Sequence, residues 1–150
     1  RIAAEGEVSD AVVAAYLEAS FFDEPAPKSL DRGDFTTDLA AGLSLADGAR
    51  TLAALSAAAI LKARAHMPEP PVLWIVCGGG RKNPHIMADL RRGAGNVRVA
   101  AAEDAGFDGD AMEAEAWAYL AVRALQGLPL TFPATTGCRY PVTGGVIADP

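Results

Sequence analysis

The stretch Val72 to Asn83, VLWIVCGGGRKN, decides the fold class. Val72 to Cys77 is a continuous apolar run of strand length, rich in β-branched and aromatic residues, and such a run predicts a parallel strand buried on both faces. Three glycines follow at once, Gly78, Gly79 and Gly80. Pro84 then opens a predicted helix to about Arg92, and Gly93 and Gly95 break it before a second short strand at Val97 to Ala100. A strand, helix, strand succession places the chain in the α/β class.

Glycines directly after a buried strand let the backbone approach a ligand with no side chain between, and the next helix start offers N–H groups and a positive dipole end. In open α/β sheets the ligand crevice lies at the carboxyl ends of the strands, which is where this turn sits. No Walker A string is present. The dinucleotide fingerprint is matched in part: Gly78 and Gly80 occupy its first two glycine positions, Asn83 stands at the third, and Glu103 falls near the ribose-binding acid. On that reading the chain is a noncatalytic module that binds NAD. With no ligand at all, the glycines make a tight strand-to-helix turn and Asn83 caps the helix beginning at Pro84. The pattern alone leaves these alternatives open.

Upstream, Ser9 predicts the cap of a helix running to about Phe22, with Val12, Val13, Tyr16, Leu17 and Phe21 on one face. The proline-bearing, charged stretch Asp23 to Phe35 reads as a loop. A long helix is predicted from Ser44 to His66, with capping-box spacing at Ser44 and Asp47 and a stripe of Leu45, Ala49, Leu52, Ser56 and Ile60. Downstream, Asp110 and Glu113 have the spacing to open a last helix that Gly127 and Pro129 stop near Gln126. The Gly, Pro and Thr-rich tail holds a short extended piece near Val146, and its Thr135 and Thr136 read as turn chemistry. Trp74 and the valines beside it read as core. Two strands are too few for an independent sheet domain of this length, so further strands are expected from a part of the protein preceding Arg1.

The 150 residues fit a single domain, and 51% hydrophobic with 21% charged is globular rather than disordered. A net charge of −6 argues against a nucleic-acid partner, which needs clustered Lys and Arg. The basic groups Arg81-Lys82 and Arg91-Arg92 suit a small anion better. Cys77 and Cys138 have no metal-ligand spacing and read as reduced thiols of a cytosolic protein, and His66 and His85 receive no role. No apolar run reaches the roughly 20 residues of a membrane helix. The chain starts at Arg1 without Met and is read as part of a longer protein.

The string CGGGRKNPHIMADL resembles the adenosine-side motif of anhydro-N-acetylmuramic acid kinases, of the sugar kinase, Hsp70 and actin superfamily. Three further matches follow in the family's order. Pro27-Lys28-Ser29 with Arg32, Asp34 and Phe35 resembles a PPKS-x-GR-x-x-F segment, with Ala26, Leu30 and Asp31 departing from it. Asp110-Ala-Met-Glu113-Ala114-Glu-Ala116 resembles a D-x-x-EA-x-A helix. Thr136-Gly137 followed by Gly144-Gly145-Val-Ile147 and Pro150 resembles the family's terminal pattern.

The resemblance implies a helix-rich, actin-like (ribonuclease H-like) C-terminal lobe on the nucleotide side of a sugar kinase. It implies ATP and Mg²⁺ as cofactors, an anhydro amino sugar as substrate, cytoplasmic location and a homodimer. Gly78, Gly79, Gly80 and Asn83 are then the nucleotide-binding residues, and Glu113, Lys28, Ser29 and Arg32 the substrate or cleft residues. Glu113 is expected in line with Trp117, Leu120 and Ala124 on the apolar or cleft face. In the family the catalytic Asp and the Asp-Thr-Gly phosphate loop lie upstream of the matched region, so this stretch alone is expected to be inactive. A degenerate scaffold lacking that loop is the remaining alternative.

Overall fold

The computed structural model describes residues 1–31 and 33–146. Arg32, Ile147 and Pro150, named above, lie outside the described residues. The elements are α1 (Asp10–Leu17), α2 (Leu45–Lys62), β1 (Leu73–Val76), α3 (Pro84–Gly93), β2 (Arg98–Ala101), α4 (Met112–Leu125) and the short α5 (Pro133–Thr136), with short 3-10 turns in several of the connections. The chain is α/β and helix-rich, with one two-stranded parallel sheet in which Leu73 pairs with Arg98 and Val76 with Ala101.

The core lies between α2, α3 and the sheet. Ala57 of α2, Met87, Leu90 and the following Ala94 of α3, and Val99 of β2 are buried together, with Leu61, Trp74, Val76, Ile86, Val97 and Ala101 packed around them. Trp74 and Val76 therefore serve as core, as their apolar character predicted, whereas Val72, also expected in the core, precedes β1 and is 90% exposed. Small residues let α2 and α3 approach closely, and across that contact Arg50 of α2 donates to both oxygens of buried Asp89 on α3, at 2.7 and 2.9 Å. Arg92 donates to the same carboxylate at 2.6 Å.

Three expectations are corrected. β1 is covered on one face only: Trp74 and Val76 face the core while Leu73 and Ile75 stay open to solvent. A strand is buried on both faces only where a second layer covers it, and no such layer packs on that side among the described residues. The leucine stripe of α2 is on the outer side, with Leu45 and Ile60 exposed, whereas Thr51, Ala53 and Ala57 are buried. The small-residue face wins the contact because it brings whole helices together. Finally, α1 stops at Leu17 rather than near Phe22. The Lys62 ammonium takes the Leu17 carbonyl at 3.0 Å, and Phe22 turns inward to meet the Phe35 ring at 5.9 Å.

Both predicted caps of the first two helices form: the Ser9 hydroxyl accepts from Val12 N at 3.4 Å and the Ser44 hydroxyl from Asp47 N at 3.1 Å. Fully buried Thr51 accepts from Ser9 N at 3.0 Å, so the start of α1 is tied to the middle of α2. Among the described residues the tail contributes one antiparallel bridge, between Thr131 and Val142; the extended piece expected near Val146 adjoins residues outside the described ones.

Gly6 gives a first prediction. A Cβ there would stand 2.1 Å from the backbone oxygen of Ala46, which cannot rotate away. Gly6→Ala is expected to destabilise the chain by about 1–3 kcal/mol, as overpacking does. At Gly93 the added Cβ meets only the end of the Leu61 side chain, so Gly93→Ala is expected to change stability by less than about 1 kcal/mol. Urea midpoints of the two variants check the contrast.

Candidate functional site

The glycine turn begins where β1 ends. Gly78 takes a left-handed conformation, φ 67°, which a side chain would strain. The next four residues, Gly79–Lys82, form one 3-10 turn, and Asn83 follows in an extended conformation. Asn83 Oδ1 accepts from His85 N at 3.0 Å and Ile86 N at 3.4 Å, capping α3 as its position before Pro84 predicted.

Gly79 and Gly80 are exposed, and a Cβ built on either meets nothing within 4 Å. The fold's own packing does not require glycine there. Their N–H groups find no acceptor among the described residues. The turn is thus an open backbone surface with free donors at the carboxyl end of a parallel strand, the place where α/β sheets receive ligands.

Beneath the turn lies a charge cluster. The Arg81 side chain is 4% exposed and its guanidinium is nearly saturated. Nε donates to both oxygens of Glu103, at 2.8 and 3.0 Å, and Nη2 to Glu103 Oε1 at 2.6 Å. Nη1 donates to the Gly78 carbonyl at 2.7 Å and to Asp110 at 3.0 Å. Lys82 donates to the other Asp110 oxygen at 2.6 Å. The bond from Arg81 holds the Glu103 carboxyl down to about 2, and bonds from Arg81 and then Lys82 do the same for Asp110, also to about 2. The same contacts raise the Arg81 guanidinium further above its ordinary value.

Two residues thereby change role. Arg81 and Lys82, expected to suit an anion, are balanced by two carboxylates. Asp110 and Glu103 are equally committed. The capping box of Asp110 with Glu113 does not form; Asp108 Oδ1 instead accepts from the N–H groups of Asp110 and Ala111, at 2.9 and 3.1 Å. A charge-assisted bond to a guanidinium outcompetes a neutral N–H for the Asp110 carboxylate. Glu103, the ribose-binding acid of the NAD reading, is held by Arg81.

Asp110 brings the start of α4 to the glycine turn, and Glu113 stands three residues further on. Glu113 is exposed and has no hydrogen bond or ion pair among the described residues. Trp117, Leu120 and Ala124, expected on its face, line an apolar groove of about 410 Å³ together with Leu130 and Val146.

Lys28 and Ser29 share no hydrogen bond or ion pair with that turn. Lys28 Nζ donates to the carbonyls of Phe21 and Phe22, at 2.5 and 3.0 Å, and lies 3.1 Å from His66 Nε2. Ser29 is exposed. His66 also contacts the Phe22 carbonyl at 3.0 Å, a placement its lone position in the sequence did not reveal. Arg32 lies outside the described residues. Cys77 and Cys138 are free thiols, and among the described residues no helix is long and apolar enough to cross a membrane.

Sequence reading missed Gly109, because its need for glycine arises from a residue 28 positions away. Its N-terminal glycine spacing in GFDGD was the one available signal. A Cβ on Gly109 would stand 2.3 Å from Arg81 Nε, and its carbonyl accepts from Gly78 N at 3.0 Å.

A family model described as anhydro-N-acetylmuramic acid kinase matches residues 1–150. The anhydro-N-acetylmuramic acid kinase of Agrobacterium fabrum is 57% identical over 149 residues, covering 98% of this chain and 40% of that protein. That of Rhizobium johnstonii is 56% identical over 151 residues, covering 99% and 41%, and that of Brucella canis is 56% identical over 153 residues, covering 99% and 40%. The chain spans about 40% of the length of the curated relatives it matches. With the match running from its first residue to its last, the chain belongs to the anhydro-N-acetylmuramic acid kinase family.

Proposed function

We propose that this chain is the nucleotide-side, C-terminal lobe of an actin-like sugar kinase that uses ATP and water to convert 1,6-anhydro-N-acetylmuramic acid to N-acetylmuramic acid 6-phosphate in cell-wall recycling. Water adds to the anomeric carbon as its bond to the bridging O6 breaks, and O6 takes the γ-phosphoryl group, leaving ADP. The observation that carries the reading is the open turn at Gly79 and Gly80, whose missing side chains no internal neighbour explains. Family membership supplies the substrate class.

In this reading Gly78, Gly79 and Gly80 offer backbone to the nucleotide and Asn83 fixes the helix start beside it. Glu113, unpartnered one turn beyond Asp110, faces the cleft. Lys28, Ser29 and Arg32 belong to the cleft side, and Lys28 reaches a ligand by releasing one of its carbonyls. Mg²⁺ would neutralise charge on the transferred phosphoryl group. In this reading the ion is held by ATP phosphates and by residues upstream of the matched region, which also supply the carboxylate base. The open face of β1 and the outer leucines of α2 suit cover by further strands and helices, and the homodimer belongs to the same reading.

Gly79→Val gives a clean test, because the added side chain has open space and does not crowd the fold. In the full-length kinase it is expected to raise the KM for ATP roughly tenfold or more with an unchanged melting temperature, since a blocked approach misplaces the nucleotide. An unchanged KM would remove the glycine turn from the nucleotide site. No ATP consumption by wild-type protein supplied with the anhydro sugar and Mg²⁺ would overturn the kinase assignment and favour the scaffold.

A further inference from the structure

We propose that Arg81 is a positioning residue of the nucleotide site, a buried fork that holds the glycine turn in its binding shape and joins it to the end of β2 and the start of α4. The proposal rests on reading this turn as the nucleotide's seat. Three features separate the arrangement from an incidental surface ion pair. Gly78 is held at both of its polar groups: its N–H on the Gly109 carbonyl at 3.0 Å and its C=O on Arg81 Nη1 at 2.7 Å. With both bonds made, the left-handed Gly78 has one orientation, and that orientation aims the next two peptides outward.

The fork also spans elements that sequence separates. Glu103 lies beyond β2 in the turn Ala102–Ala105, and Asp110 lies just ahead of α4, so a single guanidinium fixes the mutual placement of the ends of β1, β2 and α4. Arg is needed for this, because a planar guanidinium can serve Glu103 bidentately along one edge while the other nitrogen meets Gly78 and Asp110; an ammonium cannot.

Finally, the space for the fork is built by Gly109, on whose Cα the guanidinium rests. Four of the five guanidinium hydrogens are engaged with Glu103, Gly78 and Asp110, so Arg81 acts through the turn and not on the ligand.

The test compares Arg81→Lys and Glu103→Gln with wild type in the full-length kinase. It reads kcat, the KM for ATP, the KM for the sugar, and amide hydrogen exchange at residues 78–82. Both variants are expected to raise the KM for ATP roughly tenfold while the KM for the sugar and kcat stay within about twofold. Exchange at Gly78 and Arg81, whose N–H groups are bonded to the Gly109 and Gly78 carbonyls, is expected to quicken. The double variant should lose little beyond either single one, because both remove the same fork. A folded Arg81→Lys protein with wild-type KM for ATP and wild-type exchange overturns the proposal, and so does a parallel rise in both KM values, which marks general loosening. If Arg81→Lys does not fold, Glu103→Gln decides by the same readouts. A wild-type protein that turns over no ATP overturns the kinase reading instead, while the exchange rates still report on the fork.

Discussion

Asp89→Ala is expected to destabilise the chain by about 3 kcal/mol, the lower end of the cost of breaking a buried ion pair by removing one partner. Asp89 is 5% exposed at its side chain and Arg50 13%, so removal leaves a guanidinium desolvated between α2 and α3. The cost stays at the lower end because Arg92 is 71% exposed and rehydrates freely. Asp89→Asn keeps the shape and some hydrogen bonding and is expected to cost less. Urea unfolding at pH 7 measures both.

The same residue gives a pH dependence. Burial by itself raises the Asp89 carboxyl, but the bonds from Arg50, then the charges of Arg50 and Arg92, outweigh it and hold the group below its ordinary value. A carboxyl lowered in the folded state contributes stability that is complete above its unfolded value, about 3.9 for Asp, and is lost as pH falls through the folded value. Glu103 and Asp110, held to about 2, act in the same direction. Stability is therefore expected to be flat near neutrality and to fall from about pH 4 downward. The Asp89→Asn variant should fall less steeply. An identical slope in variant and wild type would remove Asp89 from the acid transition.

Leu90→Ala is expected to cost about 2–5 kcal/mol, in the upper part of that range. Leu90 is 2% exposed at the centre of the cluster with Ala57, Met87, Ala94 and Val99. Its neighbours on two sides are alanines, so the helix backbones are already close and little can move in to fill the void. Leu45→Ala, at a residue 76% exposed, is the matched control and is expected to stay within about 0.5 kcal/mol. A Leu90→Ala cost no larger than the control's would mean that the α2–α3 contact is not the core. On the proposed nucleotide seat at the glycine turn, the variant should also weaken ATP affinity in the full-length protein, since α3 begins directly after that turn.

Much of this molecule was legible in local pattern. The strand-glycine-helix-strand order of 72–100, the caps at Ser9, Ser44 and Asn83, and the stop after Leu125 are set by neighbours within one turn, where backbone preference and side-chain bonding act; α2 instead ends at Lys62, short of the His66 expected, and tightens into a 3-10 turn over Ala63–His66. The ordered motifs around CGGGRKN were enough to carry the family resemblance. The sequence also indicated two strands, and two pair in parallel among the described residues.

Tertiary structure alone decided which helix faces were buried and which charges were spoken for. An apolar stripe such as Leu45, Leu52 and Ile60 reads as a core face, yet close packing selected the alanine and threonine side of α2. Likewise Arg81 and Lys82 read as a basic pair beside a ligand turn until Glu103 and Asp110, 22 and 29 residues away from Arg81, were brought to it. A charge has no meaning for a site until its partners are known, because a bonded opposite charge outweighs the residue's own type. Sequence marks where the backbone of VLWIVCGGGRKN can meet a ligand, and folding determines that its arginine holds the turn.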